Sequence, residues 1–191
     1  MSGFGTDAMV STLKWAHKNL DDPKLKEQVD KKGVDGYIAY CARLAATTGA
    51  ASGLGGAVTL ALGVPADLAN TIAQQYRVTL AVIYHRTGQY SVPFENFIPI
   101  VAMSLGLGVH VGVNYIAKQV AAEIAKRLTA RTAGRIIPVV GAVVGAGVNF
   151  AFIKAVGKTL LALDDSAFER ILVTNTATGA PSDQEVIVQR P

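Results

Sequence analysis

Residues 47–90 read TTGAASGLGGAVTLALGVPADLANTIAQQYRVTLAVIYHRTGQY, and the reading of this stretch decides the fold. Its first half is glycine-dense and apolar. Gly49, Gly53, Gly55 and Gly56 remove side chains where helices touch, which suits close backbone packing better than catalysis. Gly63-Val64-Pro65 interrupts the run, and a helix is expected to restart over residues 66–86. Within it Asp67, Asn70, Gln74 and Arg77 recur at i, i+3, i+7 and i+10, so they form one polar stripe. Leu68, Ile72, Leu80 and Ile83 populate the other faces. Such a helix buries apolar surface and presents its stripe to water, to the polar atoms of another helix or to a lipid headgroup. Gly88 and Pro93 bracket the loop that follows.

Upstream, residues 6–20 have the pattern of an amphipathic helix, with Thr6 or Asp7 as cap and Met9, Leu13, Ala16 and Leu20 near one face. Asp21-Asp22-Pro23 ends it. The charge-rich residues 24–32 are expected to form a short exposed helix stopped by Gly33 and Gly36, after which Tyr37, Tyr40, Cys41 and Leu44 resume helical spacing.

Three runs, 44–66, 96–117 and 136–153, lack Asp, Glu, Lys and Arg. At roughly 18 to 23 residues each they reach the length that crosses a bilayer. Their composition makes them marginal spans, because glycine, threonine, Pro65, Pro99, Pro138, His110, Asn114 and Asn149 contribute little insertion energy. Each run holds a small-xxx-small pair, Gly49 with Gly53, Gly108 with Gly112, and Gly141 with Gly145, a pattern that lets helices cross closely in water or in lipid. His110 and Asn114, at i and i+4 in an apolar run, need hydrogen-bond partners if buried. The stripe of Asp67, Asn70, Gln74 and Arg77 is the available supply, so an internal network or a ligand site joining the two helices is expected.

Residues 117–135 form a basic amphipathic segment. Lys118, Lys126, Arg127, Arg131 and Arg135 face only Glu123, beside an apolar row of Ile116, Val120, Ile124 and Leu128. This pattern fits a helix lying on an anionic membrane surface, and equally a solvated bundle helix. Beyond residue 163 the chain turns polar, and residues 174–191 are expected to be irregular.

Half of the 191 residues are apolar and 17% are charged, below the roughly one quarter usual in soluble domains. The net charge of +4 is too mild to argue nucleic-acid binding but fits attraction to anionic lipid. A single cysteine, Cys41, excludes an intramolecular disulfide and fits a reducing compartment. The N-terminal residues lack a basic region followed by an apolar core, so no secretory signal is expected.

The stretch beginning TTGAASGLGG, together with GRIIPVVGAVVGAGVNFAFIKAVGKTLLAL at residues 134–163, resembles the EcsC family of bacterial proteins. The matching positions are Thr48-Gly49, Gly53-Leu54-Gly55-Gly56, Pro65-Ala66-Asp67-Leu68, Arg77 and Thr87-Gly88, then Ile137-Pro138, Val140-Gly141, Gly145, Asn149 and Ala155-Val156-Gly157. The resemblance covers about residues 37–163. It implies a companion of an ABC transporter, in a family whose own activity is not established.

Reactive motifs fail on inspection. Gly157-Lys158-Thr159 matches the end of a phosphate-binding loop, but Phe152 stands where the earlier glycine belongs. Val58, Val111 and Phe150 occupy the third glycine positions of the would-be dinucleotide fingerprints. His17, His85 and His110 share no metal-ligand spacing with Cys41 or with one another, so no metal and no cofactor is expected.

The sequence therefore predicts an all-α bundle of six to eight helices with glycine-rich apolar helices at its centre. Its expected parts are an N-terminal helical segment (1–33), a helical domain (34–163) and a polar tail (164–191). The expected role is non-enzymatic, at the cytoplasmic face of a membrane, with membrane lipids or an acyl chain as ligand and a transporter as partner. A soluble protein-interaction module and a pore-forming or lipid-acting protein are the alternatives.

Overall fold

A computed structural model describes residues 6–20, 22–47, 66–109, 112–129 and 138–176. These form seven helices: α1 (Thr6–Lys18), α2 (Asp22–Ala46), α3 (Ala66–Thr87), α4 (Phe94–Ser104), α5 (Val113–Thr129), α6 (Pro138–Leu161) and α7 (Asp165–Thr176). The protein is all-helical, and no strand occurs among the described residues. The glycine-dense stretch 48–65, with Gly49 and Gly53, lies outside them.

α3 is the most enclosed element. It packs against α1, α2, α4, α6 and α7, and Ile72, Tyr76, Val78, Ala81, Val82 and Ile83 are fully buried on it. The α2 helix runs antiparallel to α3, with Leu44 beside Asn70 at one end and Asp30 beside Tyr84 at the other. The glycine-bearing α6 lies against both. There a Cβ on Gly157 would stand 2.7 Å from Ile38 Cγ2, so the two backbones approach as closely as they do only because that atom is missing. On the other side α5 packs on α1 and α4, through Ile116, Val120 and Ile124.

The breaks between helices follow local rules. α2 bends at Gly33, whose φ of 68° and ψ of 161° lie in a region that essentially only glycine visits. The charge-rich segment before Gly33 is not simply exposed, because Leu25 and Val29, at i and i+4, are buried. Gly36 does not stop the helix, which continues to Ala46. α3 ends at Gly88, with φ of 73°, and α4 begins after Pro93.

The second charge-free run is not one helix. α4 ends at Leu105, and Gly106 takes φ of 74°. The Gly106 N–H then donates to the Met103 carbonyl and the Leu107 N–H to the Ala102 carbonyl, the paired bonds of a Schellman cap. Gly108 and Gly112 consequently fall in the connection between α4 and α5, both exposed, and mediate no helix crossing. Gly141 and Gly145 lie within α6, in a stretch whose packing is outside what the structure describes. Among the described residues no helix is long and apolar enough to cross a membrane.

The expected polar tail starts as structure. The Asp164 carboxylate accepts from the Ser166 N–H at 3.0 Å and caps α7. Phe168 and Leu172 of α7 are buried, and the helix packs on α4, so the chain just beyond residue 164 contributes to the core. Residues 177–191 lie outside the described residues.

One side chain at the edge of the core and two glycines carry measurable consequences. His17 sits against the rings of Phe94 and Phe97, with centroids 5.4 and 4.9 Å away, and its Nε2–H donates to the Val92 carbonyl at 2.9 Å. Burial lowers its pKa from 6.5, opposed by the Val92 bond and by Asp22 and Glu95. A histidine held neutral on folding takes up a proton more readily when unfolded. Its contribution is therefore complete above pH 6.5 and declines as the pH falls through the lowered folded-state value. Denaturant titrations should show stability dropping below pH 6.5 more steeply in the parent than in His17→Gln. Gly157→Ala should cost about 1–3 kcal/mol by overpacking, and Gly33→Ala about 1–3 kcal/mol by backbone strain alone, since a Cβ at Gly33 meets nothing within 4 Å. Unchanged urea midpoints would contradict both.

Candidate functional site

The polar stripe of α3 forms a hydrogen-bonded ladder. Asn70 donates its Nδ2–H to the Leu44 carbonyl at 3.0 Å, Gln74 donates to Asn70 Oδ1 at 3.1 Å, and Arg77 Nη1 donates to Gln74 Oε1 at 3.4 Å. Gln74 is only 2% exposed, so this ladder lies at the α2–α3 seam rather than in open water. Asn70, Gln74 and Arg77 are thus brought together as the sequence spacing requires. The Asp67 side chain and His110 lie outside the described residues. Asn114 is exposed in the first turn of α5, a helix that packs on α1 and α4, and it does not join the stripe. The partner of the stripe is instead the carbonyl end of α2. That connection had no signal in the sequence, because a backbone oxygen is present at every residue.

The top of the ladder opens into a cavity of about 190 Å³ lined by Lys24, Leu25, Gln28, Tyr37, Tyr40 and Arg77. Residues 24 and 40 would stand roughly 24 Å apart along a straight helix. They share one cavity because α2 folds at Gly33. Lys32 lies over the Tyr40 ring, 5.4 Å from its centroid. Among the described residues no carboxylate lines the cavity. Beneath it Cys41 is fully buried, and desolvation pushes its thiol up to about 12, opposed by the positive field of Arg77 and a hydrogen bond from Tyr37. A thiol so held is inert at neutral pH.

The basic helix divides into two kinds of residue. Arg127 turns inward: its Nε–H donates to Glu123 Oε1 at 2.7 Å and Nη2 to the Leu105 carbonyl at 2.7 Å, where α4 ends. Its charge is engaged by Glu123 and a helix terminus, although the side chain stays 37% exposed. Lys118 and Lys126 point to solvent along with Tyr115, which is 51% exposed. Lys126 stands 4.0 Å from Glu123, whose other oxygen already holds Arg127. Arg131 and Arg135 lie outside the described residues.

A second cavity, of about 300 Å³, lies between the end of α3 and α7. Arg86 forms its floor, paired with Asp165 and donating to the Leu161 carbonyl at the end of α6. Sequence spacing gave no sign of this corner, since Arg86 and Asp165 are 79 residues apart. Gly157-Lys158-Thr159 is a continuous part of α6, with Lys158 and Thr159 exposed, and presents no loop amides to a phosphate. Among the described residues no group of three His, Cys, Asp or Glu side chains could hold a metal ion.

No family model, no curated protein and no solved structure matches this chain.

Truncating Arg127 removes two bonds made to a partly screened cation and exposes the end of α4. Arg127→Ala should therefore lower unfolding free energy by about 1 kcal/mol, whereas Lys118→Ala should stay within about 0.5 kcal/mol of the parent. Equal urea midpoints for the two variants would remove Arg127 from the fold's supports.

Proposed function

We propose that the protein is a non-enzymatic peripheral membrane protein that rests α5 on an anionic lipid surface. One observation carries this reading: α5 presents Tyr115, Lys118 and Lys126 to solvent while its single carboxylate, Glu123, is engaged by Arg127. A tyrosine beside lysines suits the headgroup region, where the ring is half immersed and the ammonium groups meet phosphates. Each lysine adds about 1 kcal/mol near an anionic leaflet, so attachment through this face is reversible and salt-sensitive. Kinship with the EcsC family, and with it a companion role beside a transporter, belongs to the same proposal. It draws support from the motif blocks quoted above.

Flotation with vesicles tests the reading. The protein should bind phosphatidylglycerol-containing vesicles and ignore pure phosphatidylcholine. Binding should fade as salt rises from about 0.1 M to about 1 M, which shortens the screening length from about 10 Å to about 3 Å. Lys118→Gln with Lys126→Gln should weaken binding roughly 30-fold, the sum of two contacts of about 1 kcal/mol. Equal binding to both vesicle types, or by parent and double variant, would end the proposal.

A further inference from the structure

We propose that the cavity at the Gly33 bend is an anion pocket that takes a small phosphate ester, with Arg77 as the residue that grips the phosphate. It is a site separate from the α5 surface, on elements with which α5 shares no substantial packing.

Arg77 is partly buried, and the one hydrogen bond described for it is a long one, 3.4 Å, to the amide oxygen of Gln74. No carboxylate pairs with it among the described residues. A guanidinium drawn out of water without an anion is costly. The other arginines that α3 and α5 turn inward, Arg86 and Arg127, each hold both a carboxylate and a carbonyl. Arg77 is thus the exception: Arg86 also lines a cavity, but with its charge met by Asp165, whereas Arg77 brings to its own cavity a charge that no described carboxylate meets.

The remaining lining complements an anion. Lys24 brings a second cation from the other arm of α2, and Gln28 brings an amide. Lys32 adds positive potential across the Tyr40 ring. The nearby Asp30 is taken up by Lys26 at 2.6 Å and by the Tyr84 hydroxyl at 2.7 Å, so it does not neutralise the group. A phosphate, with three oxygens to satisfy, matches this donor set better than a carboxylate does, and the planar guanidinium fork suits it. Leu25 and the tyrosine rings leave room for a short organic body, and about 190 Å³ limits its size.

Proton–nitrogen correlation spectra of the full chain, titrated with glycerol 3-phosphate and with inorganic phosphate at constant ionic strength, test the site. The expected result is a saturable shift of the Arg77 Nε–H and the Gln28 side-chain amide, absent when chloride replaces the probe. Arg77→Gln should weaken binding roughly tenfold or more, and Lys24→Gln, at an exposed position that leaves the core intact, severalfold. The Lys118→Gln and Lys126→Gln double variant should bind the probe like the parent, which separates this site from the α5 surface. If phosphatidylglycerol vesicles shift the same resonances in that double variant, the phosphate arrives on a lipid headgroup. If only the soluble probes do, it arrives on a free ester. Shifts that never saturate, or that survive Arg77→Gln with unchanged affinity, overturn the pocket.

Discussion

The last carbonyls of a helix have no partner within it, and three helices of this bundle meet that need with a side chain from another helix. Asn70 of α3 donates to Leu44 near the end of α2. Arg127 of α5 donates to Leu105 at the end of α4, and Arg86 of α3 donates to Leu161 at the end of α6. The two arginines also place a cation at the negative pole of a helix. Each bond ties one helix to the terminus of another, so the same contacts that satisfy the backbone also set how the elements are registered. α3 supplies two of the three, which fits its place among five neighbours.

This arrangement sorts the positive charges. Arg86 and Arg127 are consumed by carbonyls and carboxylates, and Lys26 by Asp30. Other positive charges stay at the surface, among them Lys118 and Lys126 of α5, and Arg77 faces the cavity at the bend of α2. A mild net charge of +4 therefore says less about surfaces than the identity of the residues whose charge is already answered.

Enclosure of α3 has a cost at two atoms. Gln75 Oε1 and the Tyr76 hydroxyl are buried without a hydrogen-bond partner, although Gln75 reaches Ser104 through its amide nitrogen at 3.5 Å. Tyr76 is fully buried against Phe97, with centroids 4.9 Å apart. Burying an aromatic side chain is worth about 1.5–3 kcal/mol and an orphaned polar atom costs about 1–3 kcal/mol, so the unanswered hydroxyl offsets much of what the ring contributes.

The all-helical class, the approximate limits of α1 and α3, and the alignment of Asn70, Gln74 and Arg77 were legible in the sequence, because each rests on spacing along one helix and helical geometry is local; α5 was expected over 117–135 and begins earlier, at Val113. The apolar run through Gly106 and the polar composition after Asp164 pointed the other way, and one helix was expected where two stand and a tail where α7 packs. Only the tertiary structure decided which partner each polar group finds. Asn114 faces solvent and Arg127 turns inward, although both sit on the same amphipathic helix, because a neighbour's terminus happens to lie beside one of them. Likewise Lys24 and Tyr40 share a cavity only after the chain folds back at Gly33. Periodicity reports which residues share a face. What that face meets depends on contacts between distant segments, which no local pattern encodes.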